Sequence, residues 1–289
     1  MKLNLELKKG ASIGIISPCG PVYDRESFFL NIKILEQKGF KVKVFPHALC
    51  SNGFLAGSDQ ERLEDLHAAF LDKNTDIILC SRGGYGAIRL LDKIDYDIIK
   101  NNRHKIFIGS SDATAFLAAF YCRAGIPSLH ALMLLNGFAD LDIDKINNLK
   151  VIKAKKKHKI LFGGEAHGVL WGGNLATIVS LFGARNYLPE SDIILFLEDI
   201  CEPPYKIDRM LMQIFRNHAL REKIRGIVFG EFTGISKEDL KIVEKVLFEY
   251  AQKFALPCVY GYDITHNKNN IALPFGADVK LFGSKICLL

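Results

Sequence analysis

The 289-residue chain lacks most of the features that would place a protein quickly. No apolar run approaches the ~18 residues that a membrane helix needs, so no membrane span is expected. At the N-terminus (MKLNLELKKGASIGIISPCG) charges interrupt the single apolar stretch. The ~7–15-residue apolar core of a secretory signal is missing there, so no signal peptide is expected. Cysteines are few and scattered: Cys19, Cys50, Cys80, Cys122, Cys201, Cys258 and Cys287, odd in number and without CxxC spacing. Cys80, Cys122, Cys258 and Cys287 lie in or beside apolar runs, where a thiol serves as a small buried hydrophobe. That usage excludes a disulfide framework and fits a reducing cytoplasm. Neither HExxH nor metal-like histidine spacing occurs, and no Gly-Lys-Ser/Thr closes a phosphate loop, so no metal and no cofactor are expected. Internal repeats and low-complexity tracts are absent as well.

What remains is ordinary globular material, 49% hydrophobic and 24% charged, long enough for one large domain or two modest ones. The net charge of +6 is spread along the chain except for one cluster, Lys153–Lys159 (KAKKKHK). No aromatic residues interleave with it and no basic recognition helix is visible, so nucleic acid is not an expected partner. The run reads as a solvated linker or strand edge.

Up to about residue 130 the pattern alternates. Ser12–Ser17, Lys41–Phe45, Asp76–Cys80 and Lys105–Gly109 are short β-branched runs ending in turn formers, which read as strands. Amphipathic helices lie between them, one opening at Ser58 with Glu61 at capping-box spacing. Such alternation predicts a parallel sheet covered on both faces, with ligands gathering where strands end and loops begin. Residues 135–165 are polar and poorly patterned, and are read as a connection between residues 1–134 and 166–289. Beyond it come Gly168–Trp171, a helix from Asn174, a strand Ile193–Leu197 and a Pro203–Pro204 break. A helix Lys206–His218, a strand Gly226–Gly230, a helix capped at Ser236 and a turn-rich β ending from Pro257 complete the pattern.

Ile106–Thr114 (IFIGSSDAT) carries the strongest local signal. An apolar strand runs into Gly109, and Ser110, Ser111 and Asp112 lead into a helix over Ala113–Arg123. A serine at a sharp strand-to-helix turn holds its hydroxyl exposed while helix N-terminal amides point toward it, which suits a nucleophile and its oxyanion. A plain helix cap by Ser110, Ser111 or Asp112 explains the same residues. Ser81–Gly86 (SRGGYG) follows another strand, and its glycines could aim amides at a ligand or simply make a tight turn. It is no dinucleotide fingerprint, because Gly84-x-Gly86 continues to Arg89 where glycine is required. Glu198 and Asp199 end a buried-looking strand, a placement that demands partners. His266 sits in the turn-rich loop Gly261–Asn270. Serine, acid and histidine thus occur in that order, the three types a serine nucleophile needs.

These residues sit in segments that together resemble one family. IGIISPCGPV, SRGGYGAIRLLDKID, IGSSDATAF, LHALM around His130, WGGNLATIVSLFG, FLEDICEPPYKIDRML, GIVFGEF and THNKNNIALPFGADVKL follow the order found in the LD-carboxypeptidases. These are serine peptidases that include the muramoyltetrapeptide carboxypeptidases and the microcin C immunity peptidases. The resemblance implies Ser111 as nucleophile, Glu198 as acid and His266 as base, with the amides of Asp112 and Gly84 as oxyanion hole. Arg82 is an expected substrate contact through its charge and loop position, and Gly83, Asn174 and Glu231 are further expected contacts. The implied fold is α/β, with a flavodoxin-like parallel-sheet N-terminal domain and a smaller β-rich α/β C-terminal domain. The implied assembly is a homodimer, and the implied substrate a murein tetrapeptide that loses its terminal D-Ala. Two departures from the family pattern stand out: Thr265 where glycine usually precedes the histidine, and Ala131 where glycine often follows His130.

Two other functions compete. A microcin C immunity-type peptidase would cleave peptidyl or aminoacyl nucleotides, and that branch carries an aromatic-bearing insertion. Here the interval Leu135–Gly164 contains only Phe138 and Phe162, which favours murein. A non-catalytic small-molecule binder would have no need of an intact Ser, Glu and His.

Overall fold

The computed structural model describes residues 6–8, 10–126 and 128–289 and, of residue 185, the backbone alone. They form two compact units, one spanning residues up to 148 with 272–274, the other 149–271 with 275–289.

In the first unit, Ser12–Ile16 (β1), Lys41–Val44 (β2), Ile77–Cys80 (β3), Ile106–Gly109 (β4) and Ser128–His130 (β5) pair in parallel in the order β2-β1-β3-β4-β5. This is the flavodoxin order, with its switch point between β1 and β3. Every residue of β3 and β4 is buried, as a strand covered on both faces requires. The intervening helices are Arg25–Gln37 (α1), Asp59–Leu71 (α2), Tyr96–Asn101 (α3) and Thr114–Ala124 (α4). Asp24 caps α1, which buries Phe28, Ile32 and Leu35 in the main apolar cluster. At α2 the capping box read from Ser58 and Glu61 is complete in both directions. Phe116 and Phe120 of α4 pack edge-on against Phe107 of β4. The sheet gains a sixth strand from Leu273–Phe275, which lies beside β5. Nothing in its short apolar sequence marks that return.

Residues 135–165, expected as a connection, carry structure of their own. Ile143–Asn147 (α5) closes the first unit's chain, and Val151–Lys153 (β6) and Lys159–Phe162 (β7) take opposite edges of the second sheet. Edge strands expose one face, so their polar alternation hides them from a search for apolar runs.

The second sheet has the order β6-β14-β13-β8-β9-β10-β11-β7, with Glu165–Asn174 (β8), Ile193–Ile200 (β9), Ile224–Thr233 (β10), Cys258–Tyr260 (β11), Asp278–Phe282 (β13) and Lys285–Leu288 (β14). Leu273–Phe275 is β12 in this numbering. The β ending expected from Pro257 is therefore divided: β11 continues the parallel centre β8 to β11, β12 joins the first sheet, and β13 and β14 pair antiparallel toward one rim. Its helices are Leu175–Ser180 (α6), Pro204–Arg216 (α7), His218–Arg221 (α8) and Lys237–Phe254 (α9), the last capped by Ser236 as expected. Among the boundaries that differ from the sequence reading, two bear on the site. Helix α7 begins at Pro204, inside the expected break, because proline at a first turn has no N–H to lose. Strand β9 runs on through Glu198 and Asp199, whose buried carboxylates find partners described below. Among the described residues, no helix is long and apolar enough to cross a membrane.

Candidate active site

The strand-to-helix turn after β4 is strained where a nucleophile elbow should be. Ser111 has φ +56°, one of three non-glycine residues with positive φ among those described. Such backbone costs on the order of 1–3 kcal/mol and persists only where its surroundings hold it. The competing helix-cap reading lacks its bond: Ser110 makes no side-chain cap to the short turn, and the residue before α4 is Ala113, which has no polar side chain. The Asp112 carboxylate is turned elsewhere and accepts from the Ala87 amide at 2.9 Å.

The Ser81–Gly86 loop lies directly on this elbow. A Cβ added to Gly83 would stand 2.8 Å from Ser111 Cβ and 2.9 Å from its Oγ, so only glycine lets the loop touch the serine. Gly84 follows with φ +117°. The Gly20 amide donates to the Gly83 carbonyl at 3.0 Å, and the Ser17 and Ser81 hydroxyls meet at 2.6 Å. The loops after β1, β3 and β4 therefore converge at the carboxyl ends of the strands, beside the switch point. Arg82 donates to the Pro21 carbonyl at 3.1 Å and lies 5.2 Å over the Tyr23 ring. His130, paired in register with Gly109, is buried in β5, and the next amide, of Ala131, donates to the Gly109 carbonyl at 3.2 Å.

A second cluster occupies the carboxyl ends of the other sheet. His266 Nδ1 stands 2.6 Å from Glu198 Oε2, with the carboxylate 1% and the ring 16% exposed. Beyond that 2.6 Å ion-pair contact, neither nitrogen of His266 and neither oxygen of Glu198 has a hydrogen-bond partner among the described residues. Burial opposes charging His266, but the contact with Glu198, its charge and that of Asp199 outweigh burial and hold the ring above its ordinary value. Asp199, next in the strand, is committed elsewhere. It accepts from the Asn174 amide group (2.8 Å), the Ala176 amide (3.0 Å) and its neighbour Ile200 (2.8 Å). Burial first, then the charge of Glu198, pushes the Asp199 carboxyl up to about 6 against those donors.

The loop carrying His266 is braced by its neighbours. The Thr265 amide donates to Asn270 Oδ1 at 2.9 Å, and the Thr265 hydroxyl accepts from the Asn267 amide at 3.2 Å. The unusual Thr265 thus works as a turn residue. Lys155 pairs with both Glu231 and Asp263, and Glu231 in turn reaches the Asn267 amide group at 3.5 Å. Sequence reasoning missed Lys155 because a lysine inside a lysine run carries no distinguishing signal.

Of the four expected substrate contacts, Arg82, Asn174 and Glu231 already bond other groups in the described structure. Asn174 caps α6 through Thr177 while holding Asp199, and Glu231 is paired with Lys155. Gly83 touches the serine, and Arg82 is half-buried on the same loop. Among the described residues no group of three or more His, Cys, Asp and Glu side chains is arranged to hold a metal.

The family profile of the LD-carboxypeptidase N-terminal domain matches residues 13–131, and that of the C-terminal domain matches residues 167–281. The chain belongs to the LD-carboxypeptidase family. As a member of this family it is a serine carboxypeptidase. It is 33% identical to the probable murein peptide carboxypeptidase of Bacillus subtilis, over 94% of this chain and 88% of that protein. The crystal structure of the muramoyltetrapeptide carboxypeptidase of Oxalobacter formigenes superposes with a TM-score of 0.82 at 28% identity, covering 96% of this chain and 97% of the other. The microcin C7 self-immunity protein MccF of Escherichia coli is 26% identical over 95% of this chain and 91% of its own.

Proposed function

We propose that this LD-carboxypeptidase removes the terminal D-Ala from murein tetrapeptides, using Ser111, Glu198 and His266 as one triad. The observation that carries the reading is the buried Glu198–His266 pair, whose outward nitrogen Nε2 has no partner of its own. A buried carboxylate on Nδ1 fixes the tautomer that leaves Nε2 free to accept a proton. In this reading Ser111 Oγ attacks the carbonyl of the L-centre of the diamino acid while His266 Nε2 takes the hydroxyl proton. The amides of Asp112 and Gly84 receive the oxyanion, consistent with the contact between the glycine loop and the serine. His266 then protonates the leaving amine, and D-Ala departs. Water, activated by the same nitrogen, cleaves the acyl-enzyme and restores Ser111. Glu198 keeps its proton count throughout and stabilises the imidazolium.

The relatives named for murein peptides support the substrate, as does the short, aromatic-poor interval 135–164. Incubation of the purified protein with a murein tetrapeptide, following free D-Ala, tests it. Release by the wild type and none by Ser111→Ala is the expected result. Turnover of an aminoacyl sulfamoyl nucleotide with the tetrapeptide untouched would assign the microcin-type activity, and tetrapeptide binding without release would assign a binder. A cytoplasmic homodimer completes the proposal. Sedimentation at micromolar concentration and cell fractionation test those two points.

A further inference from the structure

Two buried ionic side chains of the first unit take no part in the steps above. Arg62, on α2, is 1% exposed, and Asp112 is 8% exposed. Arg62 Nη1 donates to two backbone carbonyls, Pro18 at 2.5 Å and Gly86 at 2.9 Å, while Nη2 reaches Asp59 at 2.7 Å. Asp112 Oδ2 accepts from the Ala87 amide at 2.9 Å. The Gly86 carbonyl and the Ala87 amide belong to the same peptide group. That peptide is therefore gripped at its oxygen by a cation from α2 and at its N–H by a carboxyl oxygen of the residue after the proposed nucleophile.

We propose that Arg62 is a positioning residue that, together with Asp112, clamps the 86–87 peptide and so holds the glycine loop at Ser111. The proposal rests on the triad reading and extends it to the oxyanion side. A buried guanidinium is costly unless its donors are satisfied; Arg62 Nε has no partner among the described residues, and packing alone would be served as well by an apolar residue. Here the charge is turned mainly onto backbone carbonyls, where charge-assisted bonds are strong and directional. The second carbonyl, of Pro18, belongs to the loop after β1, which holds the far side of the same glycine loop through the Gly20-to-Gly83 bond. Gly83 and Gly84 are thus suspended between two tethers that share one guanidinium. Asp112 closes the circuit onto Ser111 by direct sequence adjacency, and burial raises its carboxyl above the ordinary value against the Ala87 amide that bonds it. Asp59, the outer partner, is also held by Arg89 and Lys93, which keep its carboxyl well below the usual range. An oxyanion site works only if its donors are in place before charge develops, and misplacement by ~1 Å costs about 10²-fold in rate.

Arg62→Lys keeps the charge but loses the planar Nη1/Nη2 pair that bonds the two carbonyls on one nitrogen and Asp59 on the other. For this variant we expect kcat on the tetrapeptide to fall roughly 10- to 100-fold per folded molecule, with KM within about threefold. The acid limb of the pH profile should stay in place, since that limb belongs to His266. Asp59→Asn, which loosens only the outer partner, should lower the melting temperature and leave kcat within about threefold. The rate at which a fluorophosphonate modifies Ser111, read by mass spectrometry, should fall with kcat in Arg62→Lys. Equal modification rates and equal kcat in Arg62→Lys and wild type overturn the clamp alone. A wild type whose Ser111 is never modified overturns the triad reading and the clamp with it. Should Arg62→Lys not fold, Asp112→Ala frees the other end of the same peptide and carries the same expectation and the same overturning result.

Discussion

The two units hold their proposed reactive groups by different physics. At the Ser111 elbow the backbone does the holding: a positive φ, a glycine pressed on the serine, and peptide groups tied to peptide groups. At Glu198 and His266 side-chain charge does it, through one ion-pair contact, a displaced titration and a loop braced by Lys155, Thr265 and Asn270. Steric placement is insensitive to pH and salt, whereas electrostatic placement is not. The elbow should therefore fail mainly when an atom or a tether is displaced, and the acid–base half should fail when a charge is removed.

The largest effect tests the elbow. Ser111→Ala is expected to reduce turnover by on the order of 10⁴–10⁶, while Ser110→Ala keeps most of it, because only Ser111 lies against Gly83. A dead Ser110→Ala protein with an active Ser111→Ala counterpart would move the nucleophile by one residue.

Next comes the split between the two adjacent carboxylates. Glu198→Gln should fold normally and lose at least ~10²-fold in turnover, approaching ~10⁴, because its amide can donate to Nδ1 and invert the tautomer. Asp199→Asn should be mainly a stability variant. Its new N–H₂ faces amides that need acceptors, costing about 1–3 kcal/mol in a denaturant titration while turnover per folded molecule changes little. Glu202→Gln should be milder than Glu198→Gln. Loss of turnover in Asp199→Asn matching that of Ser111→Ala would make Asp199 the acid.

Titration sharpens the contrast further. His266 must be neutral to act as base, so kcat/KM should rise with pH through a midpoint above the ordinary 6.5 of imidazole. Glu198→Gln should move that midpoint down, because burial then acts with less opposition. The sign for stability is opposite to that for activity. A raised folded-state value means the ion pair stabilises the fold fully below about 6.5, and this contribution is lost as pH rises through the folded value. Chemical-denaturation curves across that window should show it in the wild type and lose most of it in Glu198→Gln.

The smallest expected effect is at Thr265. Thr265→Val removes an acceptor for the Asn267 amide and should cost about 0.5–1.5 kcal/mol, with kcat falling less than tenfold. A larger kinetic loss would mean that the His266 loop depends on this one hydroxyl more than on Lys155.

Much was decided by local chemistry alone. The β-branched runs ending in Gly109 and Cys80, the capping box at Ser58 and the cap at Ser236 were readable because strand, cap and turn preferences act over a few residues. The strand-to-helix turn at Gly109–Ser111 was readable too, since its glycine and serine lie within one short segment. Other features could be settled only by tertiary structure. The return of Leu273–Phe275 to the first sheet and the edge strands on either side of the lysine run depend on what packs beside them. Whether Glu198 or Asp199 faces the histidine depends on which face of β9 each occupies and on three donors from other segments. The clamp of Arg62 and Asp112 on one peptide joins residues far apart in the chain, and no local pattern announces it. Backbone preferences are written in neighbouring residues, but a buried charge takes its meaning from partners that only the folded chain brings within reach.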